Sequence, residues 1–177
     1  MKKYLLLLLL LPLCWGCKKT SNTPKQPLPK EYATAYIESY GQHYDSIAHN
    51  VFSLDIYSAG LDLDSTLSMQ GSGYNLYLSD IFCDSAFLAP GTYHSDSTGA
   101  AGTFLRGESF DGMPHGCYLL EVDNKKVTHI EVFSRGSMVY SEQDGTADLL
   151  FAFLGTKGDT IYQAHFRGPL TAIHRKK

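Results

Sequence analysis

Four small groups of residues have types and spacings that could do chemistry. Cys14 and Cys17 form a C-x-x-C pair in "PLCWGCKK", a spacing used for zinc or dithiol redox work when a second ligand pair or a βαβ context accompanies it. Neither accompanies it here. Ser109, Asp111 and His115 lie close together in "GESFDGMPHG" and carry the residue types of a nucleophile–acid–base set. Such sets are assembled in space from distant segments, and no G-x-S-x-G elbow occurs in the chain. Chance composition of a glycine-rich loop is the better reading. Asp55, Asp62 and Asp64 in "LDIYSAGLDLDST" supply oxygens of the kind calcium takes, but the twelve-residue spacing of an EF-type loop is missing. Solvated charge around a bend at Gly60 is expected instead.

Seven histidines are spread along the chain, and no pair has the His-x-His or His-x-x-x-His spacing of a preformed metal face. His129 and His165 fall on the polar phase of their segments, where two exposed strand residues are expected over a ligand pair. No metal or cofactor site is assembled by these patterns. Cys83 and Cys117 admit two readings. A disulfide closing that loop would contribute roughly 3–4 kcal/mol on the chain-entropy model; the other reading is two small buried hydrophobes on different strands.

The elements that must position these residues read as strands. Phe52, Leu54 and Ile56 alternate with polar neighbours, as do Tyr74, Leu76 and Leu78. Tyr118, Leu120 and Val122 follow, then Thr128, Ile130 and Val132, then Leu149, Phe151 and Phe153, then Tyr162, Ala164 and Phe166. Period two places one face of an antiparallel strand inward. Asp123-Asn124-Lys125, Gln143-Asp144-Gly145 and the Gly155–Asp159 stretch separate these runs with turn-forming residues. Residues 31 to 49 fit a strand or a short helix. The expected fold is all-β, a single antiparallel β-sandwich domain over 33–177, with a lipocalin-like β-barrel as the alternative. The aromatics Tyr57, Tyr77, Phe82, Phe87, Tyr93, Tyr140 and Tyr162 suit a core, and Tyr also serves sugar-stacking surfaces.

The first residues read as an address. Lys2 and Lys3 precede an apolar run from Leu5 to Leu11, and Pro12 breaks it before Gly16. The stretch is too short for a spanning helix. Gly16-Cys17 at the end of that run resembles the lipobox of bacterial lipoproteins. The resemblance implies cleavage after residue 16 and acyl chains on Cys17, with Cys14 and Trp15 standing where that family has Leu and a small residue. Residues 17–32, polar and containing Pro24, Pro27 and Pro29, read as a tether. Lys18 and Lys19, in place of acidic residues after the Cys, point to the periplasmic side.

The cadence "SLDIYS … YNLYLSDIF … LAPGTYHSD … TFLRG … GCYLLEV … DTIYQAHFRGPL" resembles small all-β lipoproteins common in Bacteroidota, which implies fold and envelope location and carries no catalytic position across. Removing residues 1–16 takes away Lys2 and Lys3, leaving 13 basic against 18 acidic residues, or −5. With no basic stripe, nucleic acid is excluded as a partner. The function expected is a lipid-anchored envelope protein whose non-catalytic domain binds a protein or glycan. A carrier of a small apolar ligand is the alternative, and a hydrolase the third reading.

Overall fold

The computed structural model describes residues 30–155 and 161–174. The signal segment, Cys14, Cys17 and nearly all of the tether lie outside the described residues, as does most of the Gly155–Asp159 turn. The described chain is all-β, fifteen strands with no helix among them. β1 (Glu31–Tyr32) and β2 (Thr34–Gly41) lead into β3 (Asn50–Tyr57). A small hairpin of β4 (Leu61–Leu63) and β5 (Met69–Gly71) precedes β6 (Gly73–Cys83), followed by β7 (Gly91–Asp96) and β8 (Thr103–Leu105). A second hairpin, β9 (Glu108–Phe110) and β10 (Met113–His115), comes next. The chain ends in a meander of β11 (Cys117–Asp123), β12 (Lys126–Gln143), β13 (Thr146–Gly155) and β14 (Ile161–Gly168), with β15 (Leu170–Ala172) behind it.

One hydrogen-bonded sheet closes on itself. β6 pairs with β11 and β11 with the first half of β12. The second half of β12 pairs with β7, β7 with β8, and β8 returns to β6. This five-stranded ring gives the all-β domain a closed barrel core to which the other strands are added. Its closure depends on β12, whose eighteen residues serve different partners in their two halves, with a bulge at Phe133/Arg135 where it turns. Bulges bend strands and sharpen their twist, and closure requires both.

Further strands extend the ring on both sides, and the two ends of the described chain meet. Glu31 pairs in parallel with His165, an offset of 134, and Ala35 with Leu170, an offset of 135. Ala33 and Thr34 on one side, and Arg167, Gly168 and Pro169 on the other, separate these ladders. They are one parallel pairing with a one-residue slip, and Pro169, which has no N–H to donate, lies in the slipped stretch. Tyr32, just outside the expected span of 33–177, is part of the core: it is buried and its hydroxyl bonds that of Tyr162.

The core is filled by residues whose alternation points inward, from the ring strands and from β13 and β14. Phe133 stacks between Phe153 at 5.0 Å and Tyr162 at 5.5 Å, and Phe104 meets Phe153 edge-on at 6.1 Å. Gly107 crosses where a side chain could not. Its N–H donates to Phe133 O at 2.7 Å, and a Cβ there would lie 2.0 Å from Cys117 O. The hairpin turns follow the sequence: Asn124 and Lys125, and Asp144 and Gly145, all have positive φ, the geometry of type I′ turns.

The inward phase differs from expectation in β11 and the start of β12. Cys117 and Leu119 face the core, while Tyr118, Leu120, Ile130 and Val132 share the opposite face. Leu119 and Leu120 are both apolar, so alternation alone gave no phase there. Register with β6, which sets Tyr118 against Tyr77, decides it.

Candidate functional site

The outer face of β2, β3, β6 and β11 is unlike an ordinary solvent-facing sheet surface. Paired residues on adjacent strands share a face, and the registers generate one row across four strands: Tyr36, Asp55, Tyr77, Tyr118. A second row runs Thr34, Tyr57, Asn75, Leu120. Asp55 is only 5% exposed and Glu38 6%, with Ser53 and Asn75 also buried. In β3 the expected wet phase of Ser53, Asp55 and Tyr57 is therefore covered on its outer side as well.

The cover is built from tyrosines and the β4–β5 hairpin. Tyr57, Leu61 and Val122 form a small second core beneath that hairpin, with Tyr36, Leu63, Met69 and Leu120 against it. Buried polar groups must find partners, and here they find one another. Asn75 Nδ2 and Tyr57 Oη donate to Asp55 Oδ1 at 3.2 and 3.3 Å. Tyr40 Oη donates to Glu38 Oε2 at 2.9 Å and lies 3.3 Å from Ser53 Oγ. The Tyr77 and Tyr118 rings sit 5.1 Å apart at 36°.

These groups floor an open groove of about 720 Å³. Asp55, Tyr57, Asn75, Tyr77 and Tyr118 form its base, the β4–β5 hairpin from Leu63 to Gln70 its wall, and Lys125 stands at one end. Burial first, then the charge of Asp55, pushes the Tyr77 phenol well above its ordinary value. The hydrogen bond to Asp62, then burial, pushes Tyr36 up to about 12. Both phenols stay protonated near neutral pH, and the Tyr36 O–H is donated to Asp62.

Of the three aspartates read above as candidate calcium oxygens, Asp55 is in the base, and Asp62 and Asp64 brace the β4–β5 hairpin. Asp62 Oδ1 accepts from Tyr36 Oη at 2.6 Å, Thr34 Oγ1 at 3.3 Å and Leu63 N at 2.8 Å. Asp64 accepts from Thr66 Oγ1 at 2.6 Å, Thr66 N at 2.8 Å, Ser68 N at 3.1 Å and Gln70 Nε2 at 2.7 Å. The Thr66 hydroxyl first, then the Ser68 and Thr66 amides, hold its carboxyl below the ordinary value.

Other sequence candidates are not brought together. Ser109, Asp111 and His115 belong to the β9–β10 hairpin, where Ser109 pairs with Pro114 and His115 with Glu108. Asp111 and Gly112 are its positive-φ turn, and among the described residues no hydrogen bond joins the three. His129 lies in the half of β12 paired with β11, 3.5 Å from Glu131. His165 instead bridges Glu31 at 3.0 Å and Asp148 at 3.1 Å.

Cys83 and Cys117 are buried free thiols, so the disulfide reading is replaced by its alternative. Cys117 pairs with Leu78, five residues from Cys83 along β6. At about 3.3 Å per residue the separation is on the order of 16 Å, far beyond disulfide reach. Tyr93 Oη donates to Cys83 Sγ at 3.7 Å, and burial pushes the Cys117 thiol well up.

Of the aromatics singled out in the sequence, Tyr57 and Tyr77 line the groove. Phe82, Tyr93, Tyr140 and Tyr162 are buried. Tyr36, Asn75 and Tyr118 were not anticipated as site residues, because their meeting depends on strand register. Comparison of the chain with protein-family models, with curated proteins and with solved structures finds no match.

Proposed function

We propose that this chain is a lipid-anchored cell-envelope protein whose barrel is a non-catalytic binding module, and that the groove over β3 and β6 takes a glycan. One observation carries the binding part: Asp55, Tyr77 and Tyr118, in register across three strands, lie together in the base of an open groove. Sugars present apolar C–H faces and polar hydroxyl rims. Tyrosine rings suit the first and a fixed carboxylate and amide suit the second, each ring giving area at low entropic cost. Asp55 and Asn75 hold each other in place, so ordering them costs little on binding. The membrane part rests on the lipobox resemblance at Gly16-Cys17, with residues 17 to 30 as the link into β1.

The test is binding of detergent-purified protein to an array of bacterial and host glycans. Expected is a set of bound glycans whose signal is lost in Tyr118→Ala at unchanged melting temperature. Absence of any bound glycan, or binding indifferent to Tyr118→Ala, contradicts the reading.

A cleft elsewhere supports the second reading, a small apolar ligand. It measures about 390 Å³ and is lined by Ile37, Phe52, Phe87, Leu88, Tyr140 and Ile173, and Phe87 is 80% exposed. A fluorescent fatty acid taken up by the protein and released in Phe87→Ser would favour it.

A further inference from the structure

We infer that residues 24–29 of this chain dock on the outer face of β12, β13 and β14, with Leu28 seated against Leu150 and Val139; the docking is independent of the glycan reading above. The registers place Val139, Leu150, His165 and Glu31 in one row across β12, β13, β14 and β1. Val139 and Leu150 are both exposed, so two large apolar side chains stand outward and opposite each other in the ladder. With Ala152 they line a groove of about 400 Å³, and Lys30 and Glu31 line it too. Covering such a pair is favourable, because apolar area leaves water.

The way the chain enters selects the occupant. His165 N–H donates to Lys30 O at 2.7 Å, β1 begins one residue later, and the backbone bends at Lys30. The preceding residues therefore leave the line of β1 and the edge of β14. Lys30 itself lines the groove, so Pro29 starts one Cα step, about 3.8 Å, from a groove residue.

The sequence of that segment suits the face. In residues 18–30, KKTSNTPKQPLPK, Leu28 is the one apolar side chain besides proline. Gln26 and Leu28 each precede a proline, which holds them extended, and a proline-rich run favours polyproline II with three residues per turn. Leu28 then shares a face with Glu31, three residues on, whose carboxylate meets His165 at 3.0 Å. At about 3.1 Å per residue Leu28 lies about 9 Å back from Glu31. Two strand spacings, about 10 Å, separate Glu31 from Leu150, so the two leucines coincide. A stiff segment also loses little freedom on docking.

The docking orients the domain. β13 is three strands from β6 by way of β12 and β11, and three from β3 by way of β14 and β2. The docked face and the tyrosine groove thus lie on opposite sides of the barrel. With the anchor proposed on Cys17, residues 18–23 alone then separate lipid from barrel, a span of about 20 Å at most. The groove is turned away from the bilayer.

The experiment is methyl NOE spectroscopy of the lipidated protein in nanodiscs, labelled at Leu and Val, with limited trypsin cleavage as a second readout. Expected are contacts from the Leu28 methyls to those of Leu150 and Val139. In Leu28→Ser the Leu150 and Val139 resonances should move, while Val127, exposed at the far end of β12, stays in place. Trypsin cleavage after Lys25 should speed up about fivefold in Leu150→Ser, because the segment no longer has its seat. Cleavage after Lys19 should be unchanged. The contacts should persist in Cys17→Ala, which separates the docking from the anchor.

Absence of the Leu28 contacts overturns the inference, as does cleavage after Lys25 that Leu150→Ser leaves unchanged. Contacts found only between differently labelled molecules assign the face to a second copy. Contacts of Leu150 with lipid chains assign it to the bilayer, and so does loss of the Leu28 contacts in Cys17→Ala. Each of these also overturns it.

Discussion

Asp55 stands directly across the β3–β6 ladder from Tyr77 on the outer face of the sheet, yet it is nearly as buried as the barrel core. A carboxylate in that position costs free energy unless its partners are in place. The surrounding phenols and Asn75 supply them, and the groove above is what the arrangement leaves open. The binding reading grows from this relationship.

The proposed membrane tie predicts a change of fraction. Multiple acyl chains on one residue, each contributing about 0.8 kcal/mol per buried methylene, hold a protein to a bilayer far more firmly than one chain. Cys17→Ala should move the protein from the membrane pellet to the soluble fraction. Unchanged retention would refute the anchor.

The thiols predict a redox-independent count. In denatured protein without reductant, peptides carrying Cys83 and Cys117 should be fully alkylated, while in native protein both should resist labelling, because the two thiols are buried. Recovery of a Cys83–Cys117 linked peptide would contradict the register that separates them.

The core predicts a steep contrast between two positions on β12. Phe133→Ala removes the ring stacked between Phe153 and Tyr162 and should cost about 3–5 kcal/mol in denaturant unfolding. Val139→Ala on the same strand, 43% exposed, should fall within about 0.5 kcal/mol of the parent. Gly107→Ala should fold poorly, since a Cβ there meets the carbonyls of Cys117 and Phe133, which are backbone and cannot swing aside.

The groove wall predicts an acid transition with a definite sign. The Asp64 carboxyl is held below its ordinary value of 3.8 by donors from Thr66 and Ser68. A lowered folded-state value means the contribution is fully present above the unfolded value and is lost as pH falls through the folded one. The Thr66 and Ser68 amide resonances should therefore titrate together, with a midpoint under 3.8, and Asp64→Asn should abolish that titration. A midpoint above the ordinary value would contradict the loop geometry.

The sequence made some of this legible and hid the rest. The inward phase of Phe52, Leu54 and Ile56, and of Phe151, Phe153, Tyr162 and Phe166, was readable because period-two alternation is a property of one strand at a time. The Asn124–Lys125 and Asp144–Gly145 turns were readable from residues that tolerate positive φ. Barrel closure was not, since it rests on β12 serving β11 in one half and β7 in the other, and on β8 returning to β6. The site was hidden for a related reason. Tyr36, Asp55, Tyr77 and Tyr118 each occupy the outward phase of a different strand, and only register places them in one row. Outward phase suggested solvent for Asp55 and Tyr77, alternation put Tyr118 on the inward phase, and the hairpin and the tyrosines in fact cover that face.

The most direct measurement of the central claim is chemical-shift mapping of the folded protein during titration with a glycan that it binds. Shifts should concentrate at Asn75, Tyr77, Tyr118, Lys125 and the β4–β5 hairpin, and Tyr118→Ala should remove them at unchanged fold. Shifts confined to the cleft around Phe87 and Ile173, or scattered over the surface without saturation, would contradict it.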